Sequence, residues 1–277
     1  MAMQAKPDKP AADAESADRQ FVTALARGLE ILRCFNARRK ELGTTEIALL
    51  TGLPQPTVWR LCYTLIKTGY LAPSPRTDKL CIGVGVLGLG YEAIAAIEIG
   101  DLAQREMQIV ADEFRCAVSL ATPDRLDLVI VKRAQCNSRL VVNLHVGSRL
   151  PIGASTGGWA YLATLPPRER TQLLQRLEAQ YGKREWSAKW RTANAAIKSY
   201  PKTGYLLSGG AYDPEINAIG IPIQPDNSSR FFALVCGAPA TMVPVKTFQT
   251  KIAPRLIRLS EFIRSALSHS ASAGRIG

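Results

Sequence analysis

The run from Thr44 to Leu71, TTEIALLTGLPQPTVWRLCYTLIKTGYL, constrains the fold of this chain more than any other segment. Ile47, Ala48, Leu49 and Leu50 fit a short helix that Thr44 is placed to cap. Gly52 supplies the backbone freedom of a tight corner, and Leu53 plugs it. Pro54 and Pro56 suit the first turn of a second helix, where a missing N–H costs little. That helix turns Val58, Leu61, Cys62 and Leu65 inward at helical spacing. Gln55, Thr57, Trp59, Arg60 and Tyr63 are left pointing away from the core. The pattern reads as a helix-turn-helix whose second helix offers polar and cationic groups to a major groove. The alternative is an ordinary pair of helices with a solvated face.

The flanks favour the first reading. After Leu71, APSPRTDKLCIG holds two short β-prone runs around a turn at Pro75, Arg76, Thr77 and Asp78, a hairpin wing. Arg76 and Lys79 near its tip are placed to meet sugar-phosphate, where contacts position a protein without reading bases. Upstream, Phe21 to Arg39 carries Val22, Leu25, Leu29, Leu32 and Phe35 at helical intervals, a stripe expected to pack across the back of the hairpin of helices.

The segments ALARGLEILRCF and EIALLTGLPQPTVWRLCYTLIKTGYL, with the wing ending LCIG, resemble the DNA-binding domain of the IclR family of bacterial transcription regulators. The resemblance continues through LPIGASTGGWAYLATLP (Leu150 to Pro166), PKTGYLLSGGAYDPEINAIGIPI (Pro201 to Ile223) and FFALVCGAP (Phe231 to Pro239). It implies an α+β chain in four parts: a disordered leader over 1–20, a winged helix-turn-helix over 21–83, a linker helix over 84–100, and a GAF-like effector-binding domain over 101–277. It also implies a homodimer or homotetramer acting on double-stranded operator DNA, and a small-molecule effector.

Composition agrees but decides less. With 277 residues the chain suits two domains, and 35 Lys and Arg against 23 acids give a net charge of +12, which favours polyanions. No apolar run reaches membrane-spanning length and the N-terminus lacks an apolar signal core, so a cytoplasmic protein without a membrane partner is expected. Cys34, Cys62, Cys81, Cys116, Cys136 and Cys236 form no C-x-x-C pair, and neither His145 nor His269 completes a metal-ligand spacing. Buried reduced thiols are expected, with no metal and no cofactor. Val84 to Ile99 is too apolar for a solvated connector and reads as a linker helix, packed either on its own domain or, as the resemblance implies, against a second subunit.

In the larger domain, Leu102 to Phe114 reads as a helix with Leu102, Met107, Val110 and Phe114 inward. Strands are expected at Cys116 to Ala121, Leu126 to Arg133 and Arg139 to Val146. Helices follow at Thr156 to Leu165, Pro167 to Gln180 and Ser187 to Ser199. Strands return around Ala218 to Ile223 and Phe231 to Cys236, and a last helix over Val245 to Ser268 breaks or kinks at Pro254. The order suits an antiparallel sheet covered by helices.

Ser155-Thr156-Gly157-Gly158 opens a helix, where glycines let a ligand approach the backbone and free N–H groups suit a carboxylate. No Gly-Lys-Ser/Thr follows, so it is not a nucleotide loop. The resemblance places effector contacts at these positions and at Ser208, Ala218, Val235 and Gly237. Ser208 stands where relatives often carry an acid, Ala218 where cysteine is common, Val235 and Gly237 where some carry serine, and Trp159 in place of lysine. Those departures imply a less polar, roomier pocket and favour a larger organic acid, an aromatic one included, with its carboxylate at the Gly157-Gly158 helix start. Without a nucleophile–base pair, paired carboxylates or a phosphate loop, an enzyme with an accessory winged helix is disfavoured. A DNA-binding structural protein without effector would not need the large domain.

Overall fold

A computed structural model describes residues 20–36, 39–97, 100–138, 142–225 and 230–273, so the expected leader lies outside the described residues except for Gln20. The chain divides into two compact units, Met1–Ala96 and Ile97–Gly277.

In the first unit, α1 (Thr23–Arg33), α2 (Thr44–Thr51) and α3 (Gln55–Lys67) enclose a small core of Ile31, Cys34, Leu42, Ile47, Val58, Cys62 and Leu71. Gly52 adopts the left-handed conformation (φ 69°) that turns the chain between α2 and α3, and Leu53 packs against the core beneath it. The cap of α2 is Gly43, one residue earlier than expected. Thr44 already has its place in the helix, and the Glu46 carboxylate accepts from the Gly43 N–H at 2.7 Å. The stripe expected over Phe21 to Arg39 holds at Leu32 and Phe35, which pack against the core, and fails before them. Val22 and Leu25 are each 63% exposed and Leu29 is exposed too, while Gly28, Ile31 and Cys34 are buried. This helix has two apolar faces, and periodicity alone does not choose between them.

Strands β2 (Leu71–Pro73) and β3 (Leu80–Ile82) form the wing, and a third strand, β1 (Glu41–Leu42), pairs with the outer edge of β3. Next comes α4 (Gly85–Ala95), a helix with no buried residue, which presents Leu87, Leu89 and Tyr91 to the surface. The expected linker ran on to Ile99, but α4 ends at Ala95, and 98–99 lie outside the described residues.

The second unit is a six-stranded antiparallel sheet in the order β6-β5-β4-β9-β8-β7. Its strands are β4 (Ala117–Asp124), β5 (Asp127–Gln135), β6 (Arg149–Pro151), β7 (Leu206–Gly209), β8 (Ile216–Ile223) and β9 (Phe232–Pro239). One face packs on α5 (Gly100–Phe114) and on α10 (Ala253–Ala273) through Met107, Val110, Leu120, Leu234, Leu256 and Ile263. On α5 Leu102 is exposed, contrary to expectation, and Ala103 takes the inward position. The other face packs on α6 (Thr156–Thr164), α7 (Pro167–Tyr181) and α8 (Lys183–Thr203) through Leu128, Trp159, Leu162, Leu177, Trp186 and Ala233. Before α10, the short α9 (Val245–Thr247) leads into a π-helical turn, Phe248–Ile252. The three segments abut over 245–273, so Pro254 lies inside a continuous helix, and the expected break takes the form of the π turn directly before it.

One strand expectation fails, and two strands of this sheet, β6 and β7, were not expected. Within Arg139 to Val146 the first residues lie outside the described residues, and 142–146 is not a strand. The Gly147-Ser148 turn instead carries Arg149–Pro151 to the edge of β5, with Ile130 donating to the Ser148 carbonyl and Gly147 to that of Ile130. Strand β7 had no alternation to announce it. Five of the cysteines, Cys34, Cys62, Cys116, Cys136 and Cys236, are buried, and burial pushes the Cys62 thiol up to about 11, so it is protonated at neutral pH.

Candidate DNA interface and ligand cavity

Gln55, Trp59, Arg60 and Tyr63 project from α3 into solvent, whereas Thr57 and Thr44 are half-buried. Trp59 (59% exposed) and Tyr63 (51%) stack with ring centroids 5.8 Å apart, and the Lys67 ammonium lies 5.5 Å from the Tyr63 ring. Exposed stacked aromatics beside arginine and lysine give this face both apolar and cationic contacts. The Arg60 side chain has no ion pair among the described residues. Gln55 is held by a hydrogen bond from its Nε2 to Thr45 Oγ1 at 3.1 Å.

The wing tip is organised by an acid that the sequence reading passed over. Glu41 accepts from Ser74 Oγ at 2.7 Å and from Thr77 Oγ1 at 3.0 Å. Arg76 is exposed, but the Lys79 ammonium sits 2.9 Å from the Glu46 carboxylate, tying β3 to α2. Lys79, expected as a phosphate contact, is thus paired with an acid of its own unit, both side chains remaining open to solvent. The Ser74 and Thr77 hydroxyls hold the Glu41 carboxyl below its ordinary range. A depressed acid stabilises above its unfolded pKa, and that contribution is lost as pH falls through the folded one. Glu41→Ala should accordingly lower hydrogen-exchange protection of the Arg76 and Lys79 amides at neutral pH. The difference from wild type should close in acid, below the folded pKa of Glu41, and a pH-independent difference would refute the role of its charge.

In the second unit, a cavity of about 50 Å³ lies between the sheet and the start of α6. Ser155, Thr156, Ser208, Ala218, Val235 and Gly237 line it, six of the eight effector candidates. Register explains why positions so distant in sequence meet. Gln135, Ala117, Gly237, Ala218 and Ser208 are successive cross-strand neighbours on β5, β4, β9, β8 and β7. Arg133, Ser119 and Val235 form the adjoining row. The small residues of the first row leave the space, and Ile130, Val142, Leu144, Leu150 and Ile216 wall it. Room for about 3–5 waters makes the unliganded cavity smaller than the side-chain departures implied.

Gly157 and Gly158 are not among the lining residues. A Cβ on Gly157 would lie 2.8 Å from Val235 Cγ2 and 3.0 Å from Leu128 Cδ1, and one on Gly158 would lie 2.3 Å from Ile152 Cα and O. On the opposite side, a Cβ on Gly220 would lie 2.4 Å from the Thr156 carbonyl oxygen. These glycines let α6 lie against the sheet and the incoming chain. The Gly158 N–H is already used, since Ser155 caps α6 by accepting it at 3.1 Å while donating to the Pro151 carbonyl at 2.8 Å. Trp159 is fully buried among the helices of this face and lines nothing.

The polar lining is unevenly satisfied. Thr156 is 2% exposed, and its hydroxyl has no hydrogen-bond partner among the described residues. Ser208 Oγ accepts from the Ala211 N–H at 2.9 Å. Arg133, absent from the sequence-based candidates, donates to Ser119 Oγ at 2.8 Å, to Gln135 Oε1 at 3.0 and 3.3 Å, and to the Val142 carbonyl at 2.7 Å. Burial pulls its pKa down, yet a guanidinium stays charged at any ordinary pH. No signal in the sequence set it apart, since β5 also carries Lys132 beside it and Asp127 and Gln135 at its ends.

Comparison with known proteins supports both units. Residues 24–75 match the family model for the IclR helix-turn-helix domain, and residues 91–254 that for the bacterial transcriptional regulator IclR C-terminal domain. The chain is 30% identical over 249 residues to the HTH-type transcriptional regulator TsaQ1/TsaQ2 of Comamonas testosteroni, covering 89% of each. It is similar to a solved IclR family transcriptional regulator from Brucella abortus, with 36% identity and a TM-score of 0.85 over 94% of this chain and 98% of that one. An IclR homologue from Microbacterium hydrocarbonoxydans, solved in complex with 4-hydroxybenzoate, shares the fold at 21% identity and a TM-score of 0.69 over 88% and 99% of the two chains.

Proposed function

Because this chain belongs to the IclR family of bacterial transcription regulators, we propose that it is a cytoplasmic homo-oligomer that reads an operator with α3 and responds to a small organic acid bound in the cavity of its larger unit. One observation carries the ligand half of this reading. The Thr156 hydroxyl is buried without a partner among the described residues, at a cavity that five further expected effector positions, Ser155, Ser208, Ala218, Val235 and Gly237, also line. An unpaired buried hydroxyl costs about 1–3 kcal/mol, which an acceptor on a ligand would recover. The relative that holds 4-hydroxybenzoate makes aromatic acids the first to try, with the walls giving way around a ring.

For the DNA half, Gln55, Trp59, Arg60 and Tyr63 present base-reading and stacking groups, Thr57 and Thr44 sit beside them, and Arg76 supplies a phosphate contact from the wing. Lys79 serves there chiefly by holding the wing to α2. The exposed apolar side chains of α1 and α4 supply surface for pairing with a second copy, and a two-fold pair would set two recognition helices on a partly palindromic site. Acid binding would then change the spacing of those helices, a coupling free energy between two sites.

The test begins with operator selection from random duplex DNA by the full-length protein, followed by titration with benzoate, 4-hydroxybenzoate and pyruvate. At least one acid should raise the melting temperature and change operator affinity several-fold, and light scattering should give a dimer or larger. Tight operator binding by a strict monomer, or acids that bind without altering DNA affinity, would refute the corresponding part.

A further inference from the structure

We propose that Arg133 anchors the anionic group of the effector, so that the cavity selects a monoanion with an apolar body over a neutral molecule of the same shape. This inference rests on the sensor reading above and adds the ligand's charge and orientation to it. Four of the five guanidinium N–H groups are met by Ser119, Gln135 and the Val142 carbonyl, all neutral. One N–H on Nη1 remains, and among the described residues no carboxylate pairs with this cation. A partly dehydrated charge held only by neutral acceptors is most stabilised by an anion arriving beside it.

The hydroxyls around it point the same way. Ser119 Oγ accepts from Arg133 and Ser208 Oγ accepts from Ala211, which leaves each hydroxyl proton to be donated elsewhere. Thr156 has its proton free as well. Ser155 is the exception, with donor and acceptor both engaged in capping α6. The lining thus offers several donors, and a complementary ligand is rich in acceptors. Arg133 and Ser119 are direct neighbours on β5 and β4, so the anion lies toward that end of the sheet. The body of the ligand then runs over Ala117, Gly237 and Ala218 against Ile130 and Val235.

The experiment compares benzoate with benzamide, a neutral molecule of nearly the same shape, on the full-length protein by calorimetry. Pyruvate serves as a second, smaller acid. Wild type should bind benzoate at least tenfold more tightly than benzamide. Arg133→Met, which keeps the apolar stem and removes the guanidinium, should lose at least tenfold for both acids and bind benzoate and benzamide alike. Arg133→Lys should retain part of the preference, a rescue by charge that a merely structural role would not give. If Arg133→Met fails to fold, the wild-type acid–amide comparison and the lysine variant still decide. A wild type that takes benzamide as well as benzoate, or a folded methionine variant with unchanged acid affinity, would overturn the anchor while leaving a ligand sensor standing. If neither acid binds wild type at millimolar concentration, the anchor and the acid-sensor reading fall together.

Discussion

Gly158→Ala is expected to destabilise the larger unit by at least about 3 kcal/mol and to lower its melting temperature by about 6–12 °C. The sign is diagnostic, because replacing glycine by alanine inside a helix ordinarily stabilises by about 1 kcal/mol. Here the added Cβ would stand 2.3 Å from the Cα and carbonyl oxygen of Ile152. Backbone atoms cannot rotate aside, so α6 must lift from the chain that leads into it, and the Ser155 cap must lift with it. At Gly157 the obstructing atoms are the side-chain tips of Val235 and Leu128, which can adjust, so Gly157→Ala should cost distinctly less. Thermal and denaturant unfolding of the two variants would show the order. Equal stability for both, with a loss of acid binding at Gly158→Ala instead, would restore the idea that these glycines exist for ligand approach.

Arg60→Ala is expected to weaken binding to the selected operator at least tenfold, with little change in affinity for unrelated DNA. One good bidentate contact to a base edge is worth about 1–3 kcal/mol of discrimination. Arg60 is exposed on α3 and free of ion pairs among the described residues, so its removal should leave fold and assembly intact. Arg76→Ala on the wing should behave differently, weakening all sequences alike and flattening the dependence on salt. Lys79→Ala should flatten it less, since that ammonium is already paired with Glu46. Titrations at several salt concentrations separate the three. A uniform loss across sequences for Arg60→Ala would mean that this residue holds phosphate and that the base-reading group lies elsewhere on α3.

The helix-turn-helix was legible because its signals are local. Gly52, the two prolines and the Val58-Cys62 stripe act within a few residues, and the structure keeps all of them. The same method misplaced the cap of α2 because Thr44 and Gly43 compete for one position and the Glu46 side chain, reaching back to Gly43, settles it. Its stripe along α1 and just beyond is half right: Leu32 and Phe35 pack against the core, but Val22, Leu25 and Leu29 are as periodic as the buried Gly28, Ile31 and Cys34 and stay exposed. It read a strand into 139–146 because β-propensity says what fits a pleated surface, not which segment will find an edge to pair with.

The candidate cavity divides along the same line. Ser155, Thr156, Ser208, Ala218, Val235 and Gly237 were reached from the sequence through a resemblance that carries positions, and the sheet brings them to one cavity. Arg133 could not be reached that way, since its meaning depends on Ser119 standing opposite it on β4 and on the Val142 carbonyl folding over it. Sequence alone thus determined what short-range forces determine: the turns, the helix starts, the family and the existence of two units. Tertiary structure decided which apolar face is buried, why Gly157, Gly158 and Gly220 are glycine, and where a charge lies within the cavity. Those depend on close packing and strand register between segments as much as a hundred residues apart, and no local pattern encodes such distances.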